Sequence, residues 1–227
     1  MNQRTMKQVK HIIWDWNGTL FDDAWLNIEI INRLLAQRGL PLTDEARYGE
    51  EFGFPVAAYY QHLGFDFSKE PFPVLAQEYT AQYDRLRYQC DLRPGARQVL
   101  ATLAARGYTH SLLSAYEQSR LEEMVAYTRL HGQFSALVGI SDVLAGGKIA
   151  QGKRFLDARG GGSTGYVMIG DTVHDYEVAA ALGIACILIP SGHCSRARLT
   201  ACNAEVVDSV EDLLALDIEH LNLDLLT

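Results

Sequence analysis

From Leu92 onward the chain alternates short apolar runs with stretches of helical periodicity, and this alternation most narrows the folds open to it. Residues 108–113, 134–140, 166–169 and 184–189 are short and rich in β-branched and aromatic side chains, so they read as buried strands. Residues 9–14 form one more such run near the N-terminus, and 205–207 suit a short edge strand. Between the runs lie helical segments. Leu92-Arg93-Pro94-Gly95 opens one and Gly107 closes it, proline early as expected. Residues 117–130 place Leu121, Met124, Val125 and Leu130 on one side. Residues 148–159 and 172–182 continue the alternation, and a last helix is expected over 210–221. Strands joined by helices of this length require right-handed crossovers. The fold class is therefore α/β, with a Rossmann-like parallel sheet.

The stretch after the first strand breaks the pattern. Residues 24–38 read as a helix ending at Gly39, Thr43 is placed to cap a second, and 55–63 and 74–87 read as two more. With no strand signal, this is an all-helical insert of about 70 residues. The expected division is a core of 1–21 and 91–227 and a helical insert of 22–90.

Composition excludes several functions. The 227 residues carry a net charge of −8, and an acidic surface repels phosphate backbones, which argues against a nucleic-acid partner. A small anionic ligand then needs local positive charge. The four cysteines, Cys90, Cys186, Cys194 and Cys202, form no C-x-x-C pair and suit reduced structural thiols. The polar start has no signal-peptide core, and no apolar run approaches the ~20 residues of a membrane helix. The expectation is a cytoplasmic protein with no membrane partner. Oligomeric state is not legible.

In open parallel sheets, ligands sit at the carboxyl ends of the strands. There the sequence offers Asp15-Trp16-Asn17-Gly18-Thr19 after the first run, Ser114 after the second, Lys148 beyond the third, and Gly170-Asp171-Thr172-Val173-His174-Asp175 after the fourth. Each alone has an ordinary reading as a turn, cap or surface residue. Their shared placement at strand ends is what joins them. Asp171 and Asp175, four apart across a helix start, can reach the same mouth. Three carboxylates, a hydroxyl and an ammonium suit a hard cation and a phosphate. Asp15 can act as nucleophile, and Gly18 permits close backbone approach.

The segment Ile12-Ile13-Trp14-Asp15-Trp16-Asn17-Gly18-Thr19-Leu20 resembles the first motif of the haloacid dehalogenase superfamily, hhhD-x-D-G-T. Ser114 looks like its second motif, Lys148 its third, and Gly170 to Asp175 its fourth, GD-x-x-x-D; Lys153 is a rival for the third. The helical insert is similar to the mobile cap of the phosphoglycolate phosphatase subgroup. The resemblance implies catalysis by Asp15, Asn17 and Lys148. It implies Mg²⁺ held by Asp15, the Asn17 carbonyl, Asp171 and Asp175, and phosphate bound by Gly18, Thr19, Ser114 and Lys148. The implied reaction is hydrolysis of a small phosphorylated metabolite through an aspartyl phosphate.

One departure matters. The family's phosphatases usually carry an acid at position 17, and asparagine cannot shuttle a proton. That leaves room for leaving groups that need no proton, or for another acid such as His174. Three rival readings follow. A catalytically weak phosphate-binding regulatory module is one. A phosphonate-cleaving relative would need a lysine in the insert, where Lys69 is the sole candidate. A dehalogenase needs no metal, which the Asp171 and Asp175 pair argues against. The loop Ser191-Gly192-His193-Cys194 could line the mouth or be a plain turn, and Phe52-Gly53-Phe54-Pro55 could face the site or simply break two helices.

Overall fold

The structure, a computed structural model, describes residues 9–140 and 147–221. Six strands form one sheet: β1 (His11–Trp14), β2 (Thr109–Glu117), β3 (Leu137–Ile140), β4 (Tyr166–Gly170), β5 (Ala185–Leu188) and β6 (Glu205–Val206). Their order is β3-β2-β1-β4-β5-β6, every pair parallel. The central strand β1 holds Ile12 opposite His110 on one neighbour and Val167 on the other. Strand order reverses at β1, so the crevice at its carboxyl end is the expected binding position. Asp15 is the next residue.

Between β1 and β2 lie α1 (Ala24–Gln37), α2 (Glu45–Glu51), α3 (Val56–His62) and α4 (Phe72–Leu86). The remaining helices are α5 (Ala96–Ala105), α6 (Gln118–Tyr127), α7 (Gly147–Asp157), α8 (Val173–Leu182) and α9 (Arg196–Thr200). The two-residue period of the strands separates two apolar layers. Ile12, Trp14, Leu112, Val167 and Ile187 pack with α5 and α6 side chains such as Val99 and Leu121. Ile13, Leu113, Met168 and Leu188 pack with Phe155, Val178 and Leu182 on the other face. A third cluster lies within the helical insert, where Ile31, Leu34 and Leu35 meet Tyr48, Tyr60, Leu63 and Leu75. Helix α1 serves both bodies, because Leu26 and Ile30 one turn earlier belong to the sheet layer. Each fully buried leucine or isoleucine contributes about 1.5–3 kcal/mol, so α1 is anchored firmly at both ends.

Three expectations need correcting, and one helix is additional to them. The side chain that caps α2 is Asp44, which accepts from Arg47 N at 2.7 Å, and not Thr43, whose backbone N–H and C=O are engaged with Asn32. Strand β2 runs on to Glu117, so Ser114 lies inside it and α6 starts one residue later than expected; a register shift after Leu113 accompanies the extension. The last expected helix is two short 3₁₀ turns, Glu211–Ala215 and Ile218–His220. Helix α9, which has no counterpart in the sequence reading, is a single Ser195-capped turn and a half.

Candidate active site

The strand ends deliver their side chains to one place. Asp15 follows β1, Asp171 follows β4, and Asp175 lies at the third position of α8. Lys148 is the second residue of α7. Its ammonium lies 2.5 Å from Asp15 Oδ1 and 2.5 Å from Asp175 Oδ1. All four residues are buried. Lys153 is exposed, and of the two lysines it is Lys148 that the fold brings to these carboxylates.

Local chemistry fixes each group. Thr172 caps α8: its hydroxyl accepts from Asp175 N, while Asp175 Oδ2 accepts from Thr172 N at 2.9 Å and Asp171 N at 3.1 Å. This capping box holds one carboxylate oxygen and leaves the other for Lys148. Gly170 is required here, since a Cβ would come within 2.3 Å of the Asp175 carboxyl carbon. Gly18 has φ +76°, and a Cβ on it would lie 2.2 Å from the His193 ring and 2.3 Å from Asp171 Oδ2. Its carbonyl accepts from Arg93 Nε at 2.9 Å and Ser191 Oγ at 2.6 Å, which pins the turn. Trp16 stacks on Phe21 with centroids 5.2 Å apart, so the aromatic residue inside the motif closes the back of the turn. Thr19 Oγ1 donates to Asp171 Oδ1 at 2.8 Å. Ser114 is buried, and its Oγ accepts from Tyr116 N at 3.1 Å.

Burial pushes Asp15 up to about 7, against the pull of Lys148, and Asp171 up to about 6, against that of His193. Asp175 feels the same burial, but Lys148 and Thr172 outweigh it and hold the carboxyl below its ordinary range. Lys148 stays charged despite burial because two carboxylates face it. Asp15, Asp171 and Asp175 bring carboxylate oxygens within 4.8 Å of one another. Two of these buried acids face Lys148, and the third, Asp171, lies against Thr19 and His193. An all-oxygen donor set of this kind fits a hard divalent cation.

A second layer escaped the sequence reading. Asp23 is wholly buried. Its Oδ1 accepts from Gly18 N at 2.9 Å, and its Oδ2 accepts from Asn17 Nδ2 at 2.8 Å, Tyr83 OH at 2.6 Å and Asn27 Nδ2 at 3.0 Å. Burial works to raise its pKa, and His193, Tyr83 and Asn17 together bring it below the usual value. In sequence Asp23 is indistinguishable from an ordinary helix cap, and it does occupy the cap position of α1, yet its side chain makes no capping bond. Asn17 Nδ2 also donates to Tyr83 OH at 2.8 Å. An acid at position 17 would face the Asp23 carboxylate directly.

His193, in the loop that could have been a plain turn, is buried at the mouth. Its Nδ1 is hydrogen-bonded to Tyr48 OH at 2.8 Å, its Nε2 lies 3.5 Å from Asp23 Oδ1, and its backbone N donates to Asp171 Oδ2 at 3.3 Å. Burial opposes its charge, and the acids around it prevail, raising it to about 9. The same loop meets the helical insert, where Gly49 O accepts from Ser195 N at 2.9 Å and Arg198 Nη1 at 3.0 Å, and Phe52 O accepts from Arg198 at 2.6 Å. His174 is partly exposed, pairs with Glu177 at 3.1 Å and lies against Phe54. Lys69 is 83% exposed and pairs with Asp66 at 3.0 Å, outside the residues that line the cavity over Asp15. Nothing in this placement favours an imine-forming lysine.

A parallel sheet with helices on both faces and a charged crevice at its switch point, carrying these four motifs, defines a Rossmann-like α/β protein of the haloacid dehalogenase kind. Residues 12–189 match the haloacid dehalogenase-like hydrolase family, and the chain belongs to it. A 5'-nucleotidase of Pseudomonas aeruginosa is 27% identical over 84% of this chain and 87% of its own. A phosphoglycolate phosphatase of Synechococcus elongatus is 26% identical over 89% and 94%. A haloacid dehalogenase-like family protein of Streptococcus pneumoniae superposes with TM-score 0.78 at 21% identity, covering 91% of this chain and 97% of that one, and shares the fold. Among the described residues no helix is long and apolar enough to cross a membrane.

Proposed function

We propose that the chain is a magnesium-dependent phosphatase that hydrolyses a small organic phosphomonoester through an aspartyl phosphate on Asp15. The observation that carries this is the Lys148 ammonium 2.5 Å from both Asp15 and Asp175, with Asp171 alongside. The phosphatase names of the relatives agree with it. In this reading Asp15, Asp171, Asp175 and the Asn17 carbonyl would hold Mg²⁺, which would offset the repulsion between a phosphate dianion and the nucleophile. A carboxylate oxygen of Asp15 forms a bond to phosphorus as the bond from phosphorus to the leaving oxygen breaks, and that oxygen departs with the electron pair. Water then attacks phosphorus, inorganic phosphate leaves, and Asp15 is restored. Lys148 neutralises charge on the phosphoryl oxygens, and Gly18, Thr19 and Ser114 bind the group through short polar side chains and close backbone approach.

Residues 22–90 act in this reading as a cap over the core formed by 1–21 and 91–227. Seating through Gly49, Phe52 and Tyr48 on the loop around His193 would exclude bulk water from the phosphoryl step. The test is direct. Purified protein should hydrolyse a generic aryl phosphate with Mg²⁺, lose activity with a chelator, and lose it in Asp15→Asn while keeping its circular dichroism. Chelator-resistant turnover would sink the metal assignment. A folded wild-type protein inert toward every ester tried would leave the regulatory module as the better reading.

A further inference from the structure

We infer that the group released at this site is an uncharged aromatic one joined to phosphorus through a phenolic oxygen, so that the substrate is an aryl phosphate. The inference rests on the phosphatase reading above and adds the substrate class. Three independent observations carry it.

The first is the wall of the cavity over Asp15. Its volume is about 340 Å³, and its floor includes Asp15, Lys148 and Asp175. The sides are formed largely by Phe52, Phe54, Phe72, Tyr79, Tyr83 and Tyr116. These rings brace one another. Phe52 meets Phe54 edge-on at 5.7 Å, Tyr79 stacks on Tyr83 at 6.0 Å, and Tyr83 meets Tyr116 edge-on at 5.8 Å. A lining of ring faces and edges selects a flat apolar guest.

The second is charge. A leaving group bearing its own carboxylate, such as glycolate, needs a free cation in the wall. Arg120 is the arginine in the lining, and it is engaged by Asp84 at 3.0 Å and approached by Glu117 at 4.0 Å. Lys148 is engaged by two acids and His193 lies between Asp23 and Asp171. Asp23, Asp84 and Glu117 add negative charge to the same walls. Among the described residues the cavity therefore presents no unengaged arginine or lysine to an anionic leaving group.

The third is position 17. Asn17 has no proton to transfer, and its amide is tied to Asp23 and Tyr83. An alkoxide leaves poorly without protonation, whereas a phenoxide leaves without it. A nucleoside 5'-monophosphate would satisfy the first observation, but its leaving oxygen is alkyl and fails the third.

The experiment compares kcat and KM, with Mg²⁺, for 2-naphthyl phosphate, phenyl phosphate, adenosine 5'-monophosphate and phosphoglycolate. The two aryl esters have leaving groups of similar acidity, so a difference between them reads ring recognition. KM for the naphthyl ester should lie about tenfold below that for the phenyl ester, within the range of a few aromatic contacts. The alkyl esters should be slower in kcat by about 10²-fold or more, the size of a missing general acid. Phe54 is 43% exposed, so Phe54→Ala should keep the fold. It should raise the naphthyl KM roughly three- to tenfold and leave phosphoglycolate unmoved. Thr80→Arg places a cation in the wall and should shift KM toward phosphoglycolate. Faster turnover of either alkyl ester, in kcat/KM, overturns the phenolic assignment. Equal naphthyl and phenyl KM values that Phe54→Ala does not move overturn the aromatic wall. If no ester is hydrolysed, the phosphatase reading fails and this inference falls with it.

Discussion

The two ends of β1 bury titratable side chains in opposite ways. At its start, His11 is hydrogen-bonded to Thr109 Oγ1 at 2.6 Å and Ser111 Oγ at 2.8 Å, and neighbouring His110 accepts from Trp14 Nε1 at 3.0 Å. Burial pushes both histidines down to about 4, so they sit neutral among neutral partners. At its other end Asp15 faces a charged lysine and two further acids. Both ring nitrogens of His11 and Nδ1 of His110 have neutral hydrogen-bond partners, and His110 Nε2 is buried without one. The mouth instead keeps charged groups against one another, Lys148 against Asp15 and Asp175, and His193 against Asp23 and Asp171. Buried titratable groups are neutral at one end and charged at the other, and it is the second pattern that candidate functional sites show.

Four substitutions or conditions test that contrast. The largest effect belongs to Asp15→Asn, which should cut turnover by roughly 10³-fold or more while leaving the folded state intact, because Lys148 keeps Asp175. Residual activity within tenfold of wild type would make Asp15 merely structural and erase the distinction between the two ends.

Next comes Asn17→Asp. It should raise alkyl over aryl turnover by up to about 10²-fold, provided that the new acid is protonated. The structure favours protonation, since the Asp23 carboxylate would stand against it at the distance now held by the amide. The same contact should lower the melting temperature, and adding Asp23→Asn should recover it by restoring one amide and one acid. An unchanged alkyl-to-aryl ratio in both variants would mean that another group already supplies the proton.

The base of β1 predicts an acid effect on stability rather than on rate. As pH falls, the unfolded chain protonates its histidines near 6.5 and the folded chain only near 4. The unfolded state therefore binds more protons in that window, and stability falls from about pH 6.5 down to about pH 4. The loss is on the order of 3 kcal/mol per histidine at most, less what partial solvent exposure screens. His110→Leu should flatten this acid limb in urea titrations. At neutral pH it should cost about 1–3 kcal/mol, because Trp14 Nε1 loses its acceptor. A change in kcat of more than a few-fold would tie the base to catalysis.

The smallest effect is expected at Lys69→Ala, where an exposed lysine pairs with Asp66. Exposed pairs of this sort contribute little. Both activity and melting temperature should stay within error, and a loss of turnover would revive the imine-forming alternative.

Sequence made the floor of the site legible, because Asp15, Asp171 and Asp175 each sit where a period of two gives way to a loop or helix start. Lys148 was favoured over Lys153 by its place at a helix start, and its burial against Asp15 and Asp175 is what sequence does not reveal. Asp23 and His193 were obscured for a different reason. Their sequence surroundings are those of a cap and a turn, and the partners that set them apart are distant: Tyr83 and His193 for Asp23, and Tyr48, 145 positions away, for His193. The end of the chain misled in turn: its apolar spacing suits a helix, but tight 3₁₀ turns bury Leu213 and Ile218 more economically against the sheet layer. For the insert, helix existence was plain and the α2 cap was off by one residue, because Thr43 and Asp44 are both good capping types.

The place of β1 has a consequence for the chain as it is synthesised. The strand at the centre of the sheet emerges first, while its two neighbours, β2 and β4, follow only after the helical insert and the greater part of the chain. Asp15 waits 133 residues for Lys148. During that interval the nascent chain carries an apolar strand with both edges open, the kind of template that pairs with its neighbours on a polysome. The insert has its own apolar cluster built from local helices, which form early because their contacts are close in sequence. Through α1, whose Leu26 and Ile30 pack in the layer that includes Ile12 and Trp14, an insert that folded early would tether the orphan strand to something compact until the rest of the sheet arrived.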